Sequence, residues 1–119
     1  MIFLLLFLLV VKHWIADFIL QFEYMVEQKG TYGQRGGIEH AIMHGVFTGI
    51  IVTVFVNSAP VGIIFGLLDS VVHYHIDYVK AKWGTRNANT QKFWIQLGAD
   101  QLAHYTFYIW LIWILQEAI

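Results

Sequence analysis

The stretch HWIADFILQ places His13 four residues before Asp17, and the same interval separates His40 from His44, Asp69 from His73 and Asp100 from His104. On a helix, residues four apart project from one face with their Cβ atoms about 5 to 6 Å apart. Each pair therefore presents two nitrogen or oxygen ligands in one direction. Histidine and carboxylate together suit Zn, Mn, Fe or Ni rather than a thiol-seeking metal. The chain has no cysteine, which removes thiolate ligands, disulfides and cysteine nucleophiles together. The expectation is a centre of one or two divalent ions held by His13, Asp17, His40, His44, Asp69, His73, Asp100 and His104. Carboxylate and histidine pairs projecting inward from a four-helix bundle build the dimetal carboxylate sites in the same way.

The elements that must carry these pairs are apolar. Of 119 residues, 58% are hydrophobic, 17% aromatic and only 13% charged, and the mean hydropathy is +0.59. Soluble domains are rarely so apolar and so poor in charge. A net charge of -1 gives no electrostatic reason to expect nucleic acid as a partner. The apolar start MIFLLLFLLVVK lacks the basic leader and the small-residue cleavage site of a signal peptide, so it is read as mature structure.

About 20 mostly apolar residues cross a bilayer. Four segments reach that length, at about residues 2–22, 38–57, 60–80 and 93–116. The predicted fold is an all-α, integral membrane four-helix bundle of up-down topology, with residues 1–119 as a single domain. FEYMVEQKGTYGQRGG and AKWGTRNANTQK read as polar loops, and NSAP as a tight turn with Pro60 opening the third helix.

Lys29, Arg35, Lys80, Lys82, Arg86 and Lys92 all fall in or beside the two long connections, and the other side has no basic residue. By the positive-inside rule both long loops are cytoplasmic and both termini lie outside, in a bacterial inner membrane. Trp83 and Trp94 then mark the inner interface, and Trp110 and Trp113 the outer one. This topology brings all four ligand pairs to one depth, in the cytoplasmic half.

Ionisable side chains at that depth cost about 2.5 to 3.5 kcal/mol each on insertion scales. Lys12 is the one basic side chain within the spans away from their ends. A single ammonium cannot balance three aspartates, and divalent cations are the natural counterions. Any single pair has a plainer meaning as a buried hydrogen bond, but four at matched depth are harder to explain that way. Asp77, four beyond His73, nears the interface and is expected to pair with Lys80 or Lys82. His75 points away from the His73 face. Gln21, Glu39 and Gln101 border the cluster, as supports of the ligands or as helix-end and helix-helix hydrogen-bonding groups.

Gly45 and Gly49, and Gly62 and Gly66, form four-residue steps that permit close helix approach, within one chain or across a homodimer. Gly62, Gly66, Asp69 and His73 lie along one stripe, so the close contact leads to the polar cluster.

HWIADFILQ, EHAIMH and DQLAH resemble a domain-of-unknown-function family of small bacterial and phage integral membrane proteins. The likeness spans nearly the whole chain, and His13-x-x-x-Asp17-Phe18-x-x-Gln21 is its most specific part. A more distant similarity is to membrane-bound metal-dependent hydrolases, which also present histidines and acidic residues on transmembrane helices.

The leading expectation is a metal-dependent hydrolase whose His/Asp site opens to the cytoplasm and acts on a small anionic or phosphoester substrate. In it Asp69, Asp17 and Lys12 take catalytic roles, and Arg35 or Arg86 helps to hold the anion. A structural or redox protein carrying metal or haem is the alternative. A proton or metal-ion transporter is a third, against which stand residues 2–11, 50–56 and 109–115, almost free of polar groups.

Overall fold

The computed structural model describes residues 1–119, and its regular structure is all helical, without strands. Helix α1 spans Ile2–Trp14 and runs straight into a π-helical turn, Ile15–Ile19, closed by a bond from the Leu20 N–H to the Ile15 carbonyl of 2.9 Å. A short α2, Glu23–Gln28, sits in the first long connection. The long helices α3, Arg35–Val56, α4, Ala59–Trp83, and α5, Gln91–Leu115, complete the chain, which ends in a 3-10 turn, Gln116–Ala118. The first span thus stops short of residue 22. The first loop is partly helical, and α3 begins three residues before the boundary read from hydropathy, at Arg35.

Local chemistry explains the boundaries. Asn57 ends α3 in the left-handed conformation at φ 52°, which asparagine tolerates better than most residues. Pro60 follows in the first turn of α4, where its missing N–H leaves no bond unmade. The Thr90 hydroxyl accepts from the Phe93 N–H at 3.4 Å and caps α5.

The α1 segment, α3 and α4 are each long and apolar enough to cross a membrane. Helix α5 is equally long but carries Lys92, Gln96, Asp100, Gln101 and His104 in its first half. In space α1 packs on α3 and α5, α3 on α4, and α4 on α5, a closed ring of long helices. The interior of this ring has two halves. At the end near the termini, Leu5, Leu9, Val52, Phe65, Tyr108, Leu111, Ile112 and Leu115 form the apolar core. Towards the two long connections the interior is polar. The outer surface is the reverse, with Phe3, Phe7, Val54, Leu67, Leu102 and Ile109 exposed.

The tightest contact is between α3 and α4, and the glycine steps are used there, within one chain. A Cβ on Gly45 would strike Ser70 and the Gly66 carbonyl, and one on Gly62 would strike Thr53 and the Gly49 carbonyl. Gly45→Val should therefore force the helices apart and destabilise the protein by about 1 to 3 kcal/mol. Gly98, in mid-α5 with open space around it, is the control. Gly98→Ala should be neutral or stabilising by up to about 1 kcal/mol. Thermal unfolding in detergent reads both, and equal effects would contradict this packing.

Candidate metal centre

The polar half of the interior collects one side chain after another from each long helix. The π turn carries Asp17, one turn beyond His13 of α1. Such turns widen a helix locally and recur at functional sites. Helix α3 supplies His40 and His44, α4 supplies His73 and Asp77, and α5 supplies Asp100 and His104. All five histidines are at most 2% exposed.

Their Nε2 atoms turn towards one another and towards carboxylates. Asp17 Oδ1 lies 3.1 Å from His40 Nε2, 3.0 Å from His44 Nε2 and 3.7 Å from His73 Nε2. His40 Nε2 and His73 Nε2 are 3.1 Å apart. Asp77 Oδ2 approaches the same two nitrogens, at 3.4 and 3.1 Å. Ligand atoms around a tetrahedral ion with bonds of about 2.0 to 2.2 Å stand about 3.3 to 3.6 Å apart. The separations of His40 and His73 from each other, from Asp17 and from Asp77 bracket that range, and the ligand atoms of Asp17, His40, His44 and His73 all lie within 4.8 Å of one another. The Nδ1 atoms of His40 and His73 are buried and unpartnered, so their protons are free to sit there and leave the Nε2 lone pairs facing inward.

A second group adjoins the first through the other oxygen of the same carboxylate. His104 Nε2 lies 3.3 Å from Asp77 Oδ1 and 3.6 Å from Asp100 Oδ1, and the latter oxygen is buried without a hydrogen-bond partner. The rings themselves are stacked, with centroids 3.6 Å apart for His44 and His73 and 4.1 Å for His73 and His104.

Asp77 corrects one expectation. It is not an interfacial residue paired with Lys80 or Lys82. It is 4% exposed, joins both groups, and meets the Lys29 ammonium at 2.6 Å. The i, i+4 stripe Asp69, His73, Asp77 was the signal that the residue belonged inside.

Asp69 lies elsewhere. Its Oδ2 accepts from Lys12 Nζ at 2.7 Å and from the Thr48 hydroxyl at 2.5 Å, so it forms a separate buried ion pair. No histidine nitrogen and no other carboxylate joins it at ligand spacing. Lys12 also donates to the His44 carbonyl at 3.2 Å and lies 3.4 Å from His44 Nδ1. An ammonium against Nδ1 favours the tautomer with its proton on Nε2, aimed at Asp17.

The charge balance also differs from the sequence expectation. Lys29 and Lys80 bend inward from the loop side and meet Asp77 and Asp100, the latter at 3.1 Å. Lys12 meets Asp69. Each of these carboxylates thus has its own ammonium, and Asp17 alone is faced only by imidazoles and an amide. Asp17 is thus the carboxylate whose charge a bound metal ion could balance.

Supporting groups surround the set. Gln101 donates from Nε2 to Asp17 Oδ2 at 3.1 Å and to Asp100 Oδ2 at 3.2 Å, while its Oε1 is 3.1 Å from His13 Nε2. His13 Nδ1 is 3.0 Å from the Tyr108 hydroxyl. Tyr108, Lys29, Lys80 and Thr48 were not expected from sequence, although Asp100, His104 and Tyr108 share one helical stripe, as do His44 and Thr48. Gln21 accepts from Lys29 and donates to the Asp17 carbonyl at 2.8 Å, so it orients the centre. Glu39 instead pairs with Arg35 and the Tyr24 hydroxyl near the surface, and His75 lies 3.0 Å from the exposed Tyr32 hydroxyl.

A cleft next to the cluster lies at the long-connection end. It measures about 340 Å³ and is bordered by Lys29, Lys80 and Arg86, with Gln21 and Gln96. Two of those ammonium groups are the ones that touch Asp77 and Asp100. Arg35 is not part of it.

The chain belongs to the family described as protein of unknown function DUF3307, whose pattern matches residues 5–119. No curated protein and no solved structure matches the chain.

Proposed function

We propose that this chain is an integral membrane protein, a four-helix up-down bundle, that holds divalent metal in its His/Asp cluster and uses it to hydrolyse a phosphoester. The observation that carries the reading is the convergence of Asp17, His40, His44 and His73, whose ligand atoms all lie within 4.8 Å of one another, with Asp77 also against His40 and His73 and with Asp17 lacking any ammonium partner. The group of His104, Asp100 and the second oxygen of Asp77 gives a second ion a place beside the first. The donor set of imidazole nitrogen and carboxylate oxygen suits Zn, Mn, Fe or Ni.

The membrane reading rests on the inversion of surface and interior: large apolar side chains face outward and charged ones inward. Helix α5, too polar in its first half to be apolar throughout, turns that half into the site. The six basic residues other than Lys12 gather at one end of the bundle, which supports a cytoplasmic position for that end, with both termini on the far side of the inner membrane.

Divalent ions supply Lewis-acid activation of water and of a phosphoryl oxygen at neutral pH. The chain's own groups do the rest. Asp17 and Asp77 hold negative charge where an ion must sit, and Gln101 and Tyr108 fix the orientation of Asp17 and His13. Lys29 and Lys80 place positive charge at the mouth, where the anionic substrate enters. In the reaction a water oxygen bonds to phosphorus, the ester oxygen leaves, and the water's proton passes to the leaving group through the cluster.

A metal-free ion network is the second reading, favoured by the three lysine–aspartate pairs. Transport along the bundle is opposed by the apolar plug around Leu5, Leu9, Phe65 and Leu111. Haem is opposed by the stacked imidazoles, which leave no slot for a macrocycle between them. Turnover of an aryl phosphate by the purified chain tests the hydrolase. Activity should vanish on chelation, return with Mn or Zn, and be lost in Asp17→Asn. A metal-loaded protein with no phosphoesterase activity on soluble or lipid esters would overturn the hydrolytic assignment.

A further inference from the structure

Beside the cationic cleft runs a second depression of different character. A groove of about 540 Å³ between α4 and α5 is lined by Ile76, Val79, Trp83, Ala99 and Ala103, with Asp100 at its floor. Its outer wall is exposed, Val79 by 54% and Trp83 by 64%. Groove and cleft meet at Lys80, Gly84 and Gln96, which border both. The join adjoins the second ligand group, because Lys80 Nζ is 3.1 Å from Asp100 Oδ2 and Asp100 also lines the groove.

Charge in the cleft is one-sided. Lys29, Lys80 and Arg86 border it, and no acidic residue does. Arg86 forms no carboxylate pair. Its guanidinium makes only long contacts to the Val26 and Glu27 carbonyls, at 3.5 and 3.4 Å. Loading the carboxylates of Asp77 and Asp100 with divalent metal would release Lys29 and Lys80 from their present partners. The mouth of the centre would then hold three cationic side chains with no protein anion, continuous with an apolar channel on the flank of the bundle.

We infer that the ligand of this site is a bilayer lipid bearing an anionic phosphate headgroup, with the phosphate against Lys29, Lys80 and Arg86 and an acyl chain in the groove between α4 and α5. The inference rests on the metal-centre reading and adds the substrate class to it. A soluble phosphoester would use the cleft but gain nothing from the groove. A neutral lipid would use the groove and leave the cations unmatched. Recognition of both ends favours a phosphate with a long apolar tail, arriving sideways from the membrane rather than from water.

Native mass spectrometry of the full chain, released from a neutral detergent, counts bound metal and bound lipid in one spectrum. The probes are phosphatidic acid, phosphatidylcholine with the same chains, and glycerol phosphate. The expected result is one phosphatidic acid per chain, retained at least about tenfold more than phosphatidylcholine, with glycerol phosphate a poor competitor. Arg86→Gln should reduce the preference for the anionic lipid several-fold without changing metal content. Ala103→Phe, which fills the groove, should weaken the long-chain lipid and leave a two-carbon-chain analogue unaffected.

Equal retention of the two lipids, or competition by glycerol phosphate at the same concentration as phosphatidic acid, would overturn the inference while the metal peak stands. Absence of metal from the spectrum is a separate outcome and would remove the centre on which the lipid reading rests.

Discussion

Asp77→Asn should weaken metal binding by about 100-fold or more, while Asp69→Asn should leave it within a few-fold of the native protein. Both substitutions keep shape and remove one buried negative charge, so the contrast isolates geometry. Asp77 offers one oxygen to His40 and His73 and the other to His104. Losing a group that merely supports a ligand already costs about 10- to 100-fold in affinity, and Asp77 stands among the ligands themselves. Asp69 accepts only from Lys12 and Thr48, outside the converging set. Equilibrium dialysis against Zn or Mn reads the difference. Equal losses in the two variants would mean that the metal, if bound, is held by charge spread through the whole cluster.

Lys12→Met carries the second large effect, on stability. Lys12 is 6% exposed and Asp69 1%. Removing one member of a buried ion pair leaves the other charge uncompensated and typically destabilises by about 3 to 5 kcal/mol, whereas replacing both members with apolar residues of similar volume is often neutral. The expected outcome is a large fall in the detergent melting temperature of Lys12→Met, and recovery of most of it in Lys12→Met with Asp69→Leu. A double variant as unstable as the single one would show that Lys12 acts through its contacts with His44 rather than through Asp69.

The i, i+4 spacing of His and Asp, together with the hydropathy of the spans, already implied which helices carry the site and at which end of the bundle it lies. Asp17, His40, His44, His73, Asp100 and His104 were legible because period and residue type agreed at each of them. Three features were not legible. Asp77 was misjudged because position along a helix was taken as a proxy for depth, and α4 runs on to Trp83, six residues beyond it, before ending. Lys29 and Lys80 were assigned to the aqueous side by the same reasoning. Their long stems let the ammonium reach inward from a backbone position near the helix end, and no one-dimensional pattern encodes that reach. The π turn at Ile15–Ile19 was invisible because no residue type within IADFI marks such a turn in a sequence.

Asp69 shows the opposite error. Its spacing from His73 is right, yet one helical turn further into the bundle the neighbours are Lys12 and Thr48 instead of histidines. Partner identity across helices decided its role, and periodicity within a helix could not. The glycine steps were ambiguous for the same reason. Only packing shows that Gly45, Gly49, Gly62 and Gly66 are spent against one another inside the chain.

The claim on which everything else depends is that Asp17, His40, His73 and Asp77 hold a divalent ion. Elemental analysis of the full chain, purified in detergent without added metal, tests it most directly. The account predicts one or two first-row divalent ions per chain, Zn, Mn, Fe or Ni, falling to trace levels in a double variant His40→Ala, His73→Ala that keeps every lysine–aspartate pair intact. Native protein with no stoichiometric metal, and no uptake when Zn or Mn is supplied, would contradict it and leave the cluster as a metal-free network of imidazoles and ion pairs.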